Sequence, residues 1–553
     1  MRPAPRFLLP LLLALSALLL LGLFSTELSD PDSWWHLATG RYIVTHHRLP
    51  VPDPFAYTTA GAPPASPAEA RTRYFNLTHE WLAQCVWYLI EAAGGLGAVV
   101  LWKAFLLALL CALTGWVAAR RSGSLLWGIA AALAAAWLAT WFDRDRPSIL
   151  SYVFTAAFIA ILEDRKRLWL LPALALVWAN CHGGFFLGWM VCGAYTADAL
   201  VRRAKDARRV LLYSAAAVLV SGINPNGFGV VATVLDYRRS PLQATLIEWS
   251  RASLWGPPYA FDLLLYGAAL VLLMSWKRVR PVDWLLFAAF AAASLAAFRN
   301  EMLMGLLAPI LMASYFPFKR ALPLAARYAL AAALTAGLAY GTVRGDFFQW
   351  RAAAWRYPAG AADFLRRHAV EAPLFNTYED GGYLIWCGAR VFIDGRALSE
   401  SVFQDYRLIL GTPPGDPRRD ATLAHYGVGA ILVNSFEYNS GVLYPLVLAL
   451  AQPGEAQWKL VYEDPAALLF LRAAPPGVAV LDKSRIAAHL ESECTLHIER
   501  DPEFSLCGRT LGDLFLRSGD RARARRMLGL YLAHPYADDP DARRAYLELL
   551  PQR

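Results

Sequence analysis

The chain has 553 residues, of which 57% are hydrophobic and only 18% are charged, and this composition argues against a wholly soluble protein. Its net charge of +9 comes with no basic arm, long lysine run or array of zinc ligands, so nucleic-acid binding is not predicted. The seven cysteines include no C-x-x-C pair, which indicates neither a metal framework nor a disulfide scaffold.

The hydrophobic pattern predicts a multi-pass membrane protein. An uncharged apolar run from Phe7 to Phe24 follows a short basic start, and no convincing signal-peptidase site comes after it. We interpret this run as an uncleaved first transmembrane helix. Further apolar runs of membrane length lie near residues 97–118, 124–142, 147–162, 168–181, 184–200, 209–223, 259–276, 282–298, 302–317 and 323–342. The pattern therefore predicts about eleven transmembrane helices, which together form a domain over residues 1–342.

Basic residues predict the orientation of these helices. They are concentrated in every second loop, at residues 120–121, 163–167, 202–209, 277–280 and 319–320. Because cytoplasmic loops are rich in Lys and Arg, this spacing predicts a cytoplasmic amino terminus in a bacterial-type inner (cytoplasmic) membrane. With an odd number of helices, the loop at 26–96 and everything after about residue 343 are predicted to lie outside the cytoplasm.

The last part of the chain changes character. Residues 359–369 are predicted to be helical, and five short apolar runs are predicted as buried strands, at 373–376, 390–393, 429–433, 459–462 and 467–471. This pattern predicts an α/β domain over residues 343–500. Residues 501–553 are predicted to form a helical hairpin tail that resembles one tetratricopeptide-like unit, which serves packing or the docking of a protein partner. Cys494 and Cys507 can pair in an oxidising compartment, and this pairing leaves Cys387 over.

The predicted first outer loop carries an unusual group of polar residues. Asp30 and Asp32 follow the first helix and precede an aromatic-rich helical stretch with His36 and Arg41, which is predicted to lie along the membrane surface. Helix capping is the structural alternative for the two aspartates, because Asp caps helix amino termini well. The loop ends in the motif Glu80-Trp-Leu.

Later outer loops supply further acidic candidates. Asp143-Arg-Asp145 is a DxD motif between the third and fourth predicted helices, and neighbouring arginines can neutralise it. Glu248 and Glu301 lie in two successive later loops, and either can provide a third acidic group. Each can instead pair with a nearby arginine, as Glu301 would with Arg299.

The remaining candidates are substrate-binding residues. Arginine side chains and a histidine in a glycine-rich turn suit contacts with a phosphate, and a Tyr-Glu-Asp-Gly-Gly segment stands out in the predicted α/β domain. The structural alternative for that segment is a capped turn between a helix and a strand. The candidates are His79, His182, Arg238, Arg239, Arg299, Tyr378 and Asp380.

These motifs resemble those of the GT-C superfamily of polytopic glycosyltransferases. Asp32-Ser-Trp-Trp-His36 resembles the acidic motif of oligosaccharyltransferase catalytic subunits, and the plan of the loop that ends in Glu80-Trp-Leu is similar to that of aminoarabinose and protein O-mannosyl transferases. Asp143-Arg-Asp145 resembles the metal-binding DxD-like motif of oligosaccharyltransferases, and Thr245-Leu-Ile-Glu248 resembles their T-I-x-E motif. The segment around Asp380 resembles a degenerate form of their W-W-D-Y-G segment, which reads the acceptor.

The resemblance implies a GT-C-like fold and transfer of a sugar from a polyprenyl-phosphate-linked donor to a glycan, lipid or protein acceptor on the outer face of the membrane. It implies that Asp32 or Asp30 orients or deprotonates the acceptor, and it makes Glu80 and Glu248 further catalytic candidates. It also implies that Asp32, Asp143 and Asp145 ligate Mg²⁺ or Mn²⁺, because these ions prefer carboxylate oxygens.

Two other classes of protein compete with this hypothesis. The degenerate acceptor segment and the tetratricopeptide-like tail suit a non-catalytic membrane scaffold or assembly factor of an envelope complex. A transporter is the weakest alternative, because the sequence shows no paired broken hydrophobic segments and no clear internal repeat.

Overall fold

We analysed a computed structural model of the chain. The structure describes residues 7–60, 62–239, 247–316, 323–437, 440–500, 506–534, 537 and 539–550. The protein is mostly helical and divides into two compact units. The first, which we call the helical unit, comprises residues 1–51 and 66–352, and the second, which we call the mixed unit, comprises residues 52–65 and 353–553.

Every apolar run of the predicted membrane domain is helical in the structure. The described helices of the helical unit are Leu8–Phe24, Asp32–His46, Pro67–Thr78, Trp81–Ser122, Leu125–Ala139, Ser148–Asp164, Leu170–Cys181, Phe186–Val201, Ala207–Val220, Val230–Arg239, Tyr259–Met274, Pro281–Ala296, Met302–Tyr315 and Leu324–Arg344. Short 3₁₀ turns at Thr140–Phe142, Gly183–Phe185, Ile247–Trp249 and Phe298–Asn300 lie next to residues of the candidate site.

Only some of these helices have the dimensions of a membrane span. Within the described residues, three stretches are long and apolar enough to cross a membrane: Pro67–Ser122, Leu125–Phe142 and Gly183–Val201. This is fewer than the eleven or so predicted, and the physical reason is length. A helix rises about 1.5 Å per residue and needs about 20 residues to span the hydrocarbon core, whereas Leu170–Cys181 has 12 residues and Leu8–Phe24 has 17.

The helix that follows the first acidic motif packs inside the helical unit. Trp34 and Trp35 are buried in helix Asp32–His46, so the predicted membrane-surface stretch instead contributes its aromatic side chains to the protein interior. A Cβ atom on Gly40 would lie 2.0 Å from the carbonyl oxygen of Gln84, and only a glycine allows this approach to helix Trp81–Ser122. The contact brings the residues around His36 next to the start of the long helix.

The mixed unit is built on a four-stranded sheet. Its strands are β1 (Leu374–Asn376), β2 (Ala430–Val433), β3 (Lys459–Asp464) and β4 (Ala467–Leu471), in the order β1-β2-β4-β3. Strands β1 and β2 are parallel, whereas β2 with β4 and β3 with β4 are antiparallel. All residues of β1, β2 and β4 are buried, and all of them except Asn376 are apolar. The described helices of this unit are Ala359–Arg367, Gly381–Trp386, Glu400–Gly411, Pro417–His425, Pro445–Leu450, Ile486–Arg500, Leu506–Arg517, Arg521–Leu532 and Pro540–Glu548.

The fifth predicted strand, at 390–393, forms only an isolated bridge between Val391 and Ala56. Its partner is the segment 52–65, which the sequence placed in the first outer loop and the structure places in the mixed unit. A buried ion pair holds the two segments together, because Arg396 Nη1 lies 2.7 Å from Asp53 Oδ1. Arg396 Nη2 lies 2.6 Å from the Oδ2 atom of Asp394. All three side chains are at most 3% exposed, so each charge depends on its partners.

The carboxy-terminal helices belong to the same compact unit as the sheet. Cys494 and Cys507 form a disulfide that joins helix Ile486–Arg500 to helix Leu506–Arg517. Cys387 is exposed and lies outside this disulfide, as the predicted pairing requires. The helices Leu506–Arg517 and Arg521–Leu532 correspond to the predicted hairpin, and one further helix, Pro540–Glu548, follows them.

Candidate functional site

Four segments that are far apart in the sequence bring acidic and arginine side chains together in the helical unit. Arg146 Nε lies 2.5 Å from Asp30 Oδ2, and its Nη1 lies 2.9 Å from both Asp32 Oδ2 and Glu248 Oε1. Arg299 Nη1 lies 3.7 Å from the other carboxylate oxygen of Glu248. We call Asp30, Asp32, Arg146, Glu248 and Arg299 the Arg146 cluster, and it has three carboxylates for two guanidinium groups.

Local sequence explains how the two aspartates are placed. Asp30 accepts a hydrogen bond at 2.9 Å from the backbone N–H of Asp32, the first residue of helix Asp32–His46. Asp30 therefore forms a turn that leads into the helix, whose cap position is Pro31, and it also binds Arg146. Ser33 donates a hydrogen bond at 3.0 Å to the carbonyl oxygen of Asp145, and this bond fixes the helix start against the turn that carries Arg146.

The neighbouring aspartates have opposite shifts in pKa. Burial by itself would raise the pKa of Asp30, but the charges of Arg146 and Arg144 outweigh it and lower the pKa to about 2. Burial raises the pKa of Asp32 to about 6, because the charges of Asp30 and Glu248 offset the attraction of Arg146. Asp32 thus takes up a proton at a pH close to neutrality, as a general base must, while Asp30 stays ionised.

Glu248, rather than Glu301, lies in the Arg146 cluster. The charge of Arg146 lowers the pKa of Glu248, and its side chain is 39% exposed, so it forms the solvent-facing edge of the cluster. Glu301 is buried, and its carboxylate has no hydrogen-bond partner among the described residues. Burial raises the pKa of Glu301 to about 8. Arg299, which the sequence paired with Glu301, lies next to Glu248 instead, with its Nη1 atom 3.7 Å from Oε2.

The DxD motif contacts a buried lysine. Lys103 Nζ lies 3.1 Å from Asp143 Oδ1 and 3.2 Å from Asp145 Oδ1, and it donates a hydrogen bond at 2.7 Å to Thr26 Oγ1. The ammonium group, fully buried, lies between the two carboxylates where a divalent cation would have to bind. Asp32 is meanwhile paired with Arg146. The residues Asp32, Asp143 and Asp145 therefore do not fit the predicted Mg²⁺ or Mn²⁺ site in this arrangement.

A second group of titratable residues surrounds Glu80. Its Oε1 atom lies 3.3 Å from His79 Nε2 and 3.5 Å from His182 Nε2, and its Oε2 atom lies 3.4 Å from His36 Nδ1. Burial lowers the pKa of His36 to about 4 and that of His182 to about 3, so both rings are neutral at pH 7. We call His36, His79, Glu80 and His182 the Glu80 cluster. The structure thus brings together four predicted site residues from three segments of the chain.

The other predicted binding residues have different surroundings. Arg41 interacts electrostatically with Glu91, which lies in the long helix Trp81–Ser122. Arg239 is exposed at the end of helix Val230–Arg239, and the side chain of Arg238 lies outside the described residues.

Tyr378 and Asp380 belong to the mixed unit. The hydroxyl of Tyr378 donates a hydrogen bond at 3.0 Å to the carbonyl oxygen of Gly395, and its backbone N–H donates to Tyr406. Asp380 precedes helix Gly381–Trp386 and accepts a hydrogen bond at 2.8 Å from Thr377 Oγ1. Burial raises the pKa of Asp380 to about 8, so it is protonated at pH 7. These contacts fit a turn at this segment, in which Asp380 stands at the cap position of the helix without a side-chain cap hydrogen bond.

Two charged residues of the site carried signals that sequence reasoning did not use. Lys103 is the only charged residue between Glu91 and Arg120, and an isolated charge in an apolar helix indicates a buried partner or a function. Arg146 was interpreted as a local partner of the DxD motif, but the structure pairs it with Asp30, Asp32 and Glu248. Its real partners are more than 100 residues away, and no local pattern identifies them.

Comparison with models of known protein families gives no match for this chain, and no curated protein matches it significantly. The chemical roles considered below therefore depend on the geometry of the two clusters and on the resemblance of short motifs.

Proposed function

We propose that this protein is a polytopic membrane glycosyltransferase of GT-C type, which transfers a sugar from a polyprenyl-phosphate-linked donor to an acceptor on the outer face of a bacterial-type inner membrane. One observation carries the proposal. Segments around residues 30, 146, 248 and 299 meet to place a carboxylate with a pKa of about 6 beside the guanidinium group of Arg146, and Glu248 links Arg146 to a second one, that of Arg299. This combination suits removal of a proton from an acceptor and neutralisation of a leaving phosphate.

The proposed reaction uses these groups in separate roles. An acceptor hydroxyl or amine attacks the anomeric carbon, its proton passes to the Asp32 carboxylate, and the bond from that carbon to the phosphate oxygen breaks. The electron pair leaves with the polyprenyl phosphate. Positive charge then gathers on the sugar and negative charge on the phosphate, which Arg146 and Arg299 stabilise. Asp30, with its low pKa, holds Arg146 in place throughout.

The donor phosphate has a defined point of entry in this arrangement. Glu248 is the most exposed carboxylate of the Arg146 cluster, and its contact with Arg299 is the longest, at 3.7 Å. A phosphate that displaces Glu248 would gain both guanidinium groups, while Arg146 keeps its contacts with Asp30 and Asp32. Bidentate arginine–phosphate pairs are strong and geometrically specific, so this exchange of partners is favourable.

The membrane topology supports the same proposal. The basic loops favour a cytoplasmic amino terminus, and a disulfide such as Cys494–Cys507 persists in an oxidising compartment. Both features suit an extracytoplasmic mixed unit, with the helical tail available for a protein partner. The GT-C-like helix count and the small α/β domain remain part of the proposal.

A deletion strain of the native host tests the proposal. Envelope glycans, glycolipids and glycoproteins are compared by mass spectrometry after complementation with wild type, Asp32→Asn or the control Asp346→Asn, at equal protein levels. Asp346 is exposed, with 60% of its side chain accessible, so the control makes the same chemical change away from the cluster.

We expect one sugar modification to disappear in the deletion strain, to return with wild type and Asp346→Asn, and to stay absent with Asp32→Asn. Loss of a positioned general base typically lowers a rate by about 10²–10⁴-fold. Equal restoration by all three proteins would overturn the proposal. That result would favour the non-catalytic scaffold, for which the Arg146 cluster is only an internal ion-pair network.

A further inference from the structure

The Glu80 cluster contains a set of potential metal ligands separate from the predicted DxD site. His79 Nε2, Glu80 Oε1 and His182 Nε2 all lie within 4.8 Å of one another. Zinc binds histidine nitrogen and carboxylate oxygen at about 2.0–2.2 Å in a tetrahedral arrangement, which separates neighbouring ligand atoms by about 3.3–3.5 Å. The two distances from Glu80 Oε1, 3.3 Å to His79 and 3.5 Å to His182, have these values.

The ring of His79 directs its Nε2 atom at Glu80. Its Nδ1 atom lies 2.8 Å from the carbonyl oxygen of Phe75, which can only accept a hydrogen bond, so Nδ1 is the donor of this contact. Nε2 faces the carboxylate of Glu80 at 3.3 Å. The carboxylate attracts a cation at this position, which is either a proton on Nε2 or a metal ion bound between the two atoms. The carbonyl of Phe75 is also the kind of outer partner that orients zinc-binding histidines.

The ring of His182 has an outer partner of the same kind. Ser151 Oγ lies 2.6 Å from Nδ1 and accepts a hydrogen bond at 2.9 Å from Trp178 Nε1, so it is held in place. The backbone N–H of Gly184 donates a hydrogen bond to Nδ1 at 3.0 Å, which favours a proton on Nε2 in the metal-free protein. Metal binding at Nε2 would place the ring proton on Nδ1, which would then donate a hydrogen bond to Ser151 Oγ and give up the one it accepts from Gly184.

The backbone around His182 is shaped for this approach. A Cβ atom on Gly183 would lie 2.5 Å from the ring of Phe75 and 3.2 Å from that of His79, so a glycine is needed for the rings of His79 and His182 to meet. Both histidine side chains keep 14% exposure, and Glu80 keeps 7%. A metal can thus reach the site, and a fourth coordination position can face solvent.

We propose that His79, Glu80 and His182 form a Zn²⁺ site with an open fourth position. Two histidines and one glutamate are a ligand set found in catalytic zinc sites, in which a water or a substrate oxygen completes the coordination. His36, 3.4 Å from Glu80 Oε2, orients the carboxylate from the opposite side. This inference goes beyond the proposed function, because zinc binding does not require glycosyl transfer.

The test measures bound metal in the full-length, tag-free protein in detergent. The protein is stripped with a chelator, incubated with Zn²⁺ and desalted, and zinc is measured by inductively coupled plasma mass spectrometry. Affinity is measured by competition with a zinc-sensitive dye. The variants are His79→Gln, His182→Gln and Ser151→Ala, with the exposed His47→Asn as the control. Asparagine suits the control because His47 has a positive φ of 52°.

We expect one zinc ion per chain in wild type and in His47→Asn, and loss of that ion in both ligand variants. Ser151→Ala is expected to weaken binding about 10–100-fold, as loss of an outer partner does. X-ray absorption at the zinc edge of wild type should show nitrogen and oxygen neighbours without sulfur, a result that does not depend on how the variants fold. Less than one equivalent in wild type, full binding by both ligand variants, or sulfur ligation from the adjacent Cys181 would each overturn the proposal.

Discussion

Asp30 and Asp32 should respond in opposite ways to the same substitution. They are two residues apart and share Arg146, yet the pKa of Asp30 is lowered to about 2 and that of Asp32 is raised to about 6 from an ordinary value of 3.8. A difference of one in pKa corresponds to about 1.4 kcal/mol between the protonated and ionised forms. Ionised Asp30 therefore stabilises the fold by up to about 2 kcal/mol, and ionised Asp32 destabilises it by up to about 3 kcal/mol.

The sign of each effect sets its pH dependence. The raised pKa of Asp32 means that its contribution to stability is fully present below pH 3.8 and is lost as the pH rises through about 6. The lowered pKa of Asp30 means that its contribution is present above pH 3.8 and is lost as the pH falls through about 2. Of the two aspartates, only Asp32 changes its charge between pH 5 and pH 8.

We therefore expect Asp32→Asn to raise the unfolding temperature at pH 8 and to change it less at pH 5, because asparagine removes a buried charge and still accepts a hydrogen bond from Arg146. Asp30→Asn should lower the unfolding temperature at both pH values. The measurement is thermal unfolding of the protein in a non-ionic detergent, followed by tryptophan fluorescence, with Asp346→Asn as the exposed control. Equal destabilisation by both variants would refute this account. So would a difference in unfolding temperature between Asp32→Asn and wild type that is no larger at pH 8 than at pH 5.

Two further predictions concern buried ion pairs and use the same unfolding assay. Lys103→Met should lower the free energy of unfolding by about 3–5 kcal/mol, because it leaves the carboxylates of Asp143 and Asp145 buried without a cation. An unchanged unfolding temperature would contradict the pairing. Arg396→Met should also lower the free energy of unfolding by about 3–5 kcal/mol, because its two aspartate partners are almost fully buried. The exposed control Arg344→Met should have little effect. Equal effects of the two arginine variants would argue against a special role for Arg396.

The local patterns of the sequence predicted much of the secondary structure. Every predicted membrane run is helical, and four of the five predicted strands form the sheet of the mixed unit. These elements could be predicted because hydrophobic periodicity and short apolar runs act over a few residues. Among the described residues fewer helices than predicted have the length of a membrane span, since apolar composition does not fix where each helix ends. Leu170–Cys181, for example, ends after 12 residues, before the turn that carries His182.

The sequence predicted which acidic residues belong to the candidate site, but it did not predict which side chains contact them. The sequence identified Asp30, Asp32, Glu80 and Glu248 as unusual acidic residues near predicted membrane boundaries. It did not show that Arg146 would join three of them, or that Lys103 would lie between the aspartates of the DxD motif. Each of these contacts links segments separated by tens to hundreds of residues.

By itself, the sequence determined that the chain is rich in apolar helices, that it carries a small sheet, and that several charges would need partners. Burying a charge is costly wherever it occurs, so the need for a partner is visible in the sequence. Only the tertiary structure decided which partner each charge has, because that depends on how distant segments pack. Two examples are the approach of His182 to His79 and Glu80, and the ion pair between Asp53 and Arg396.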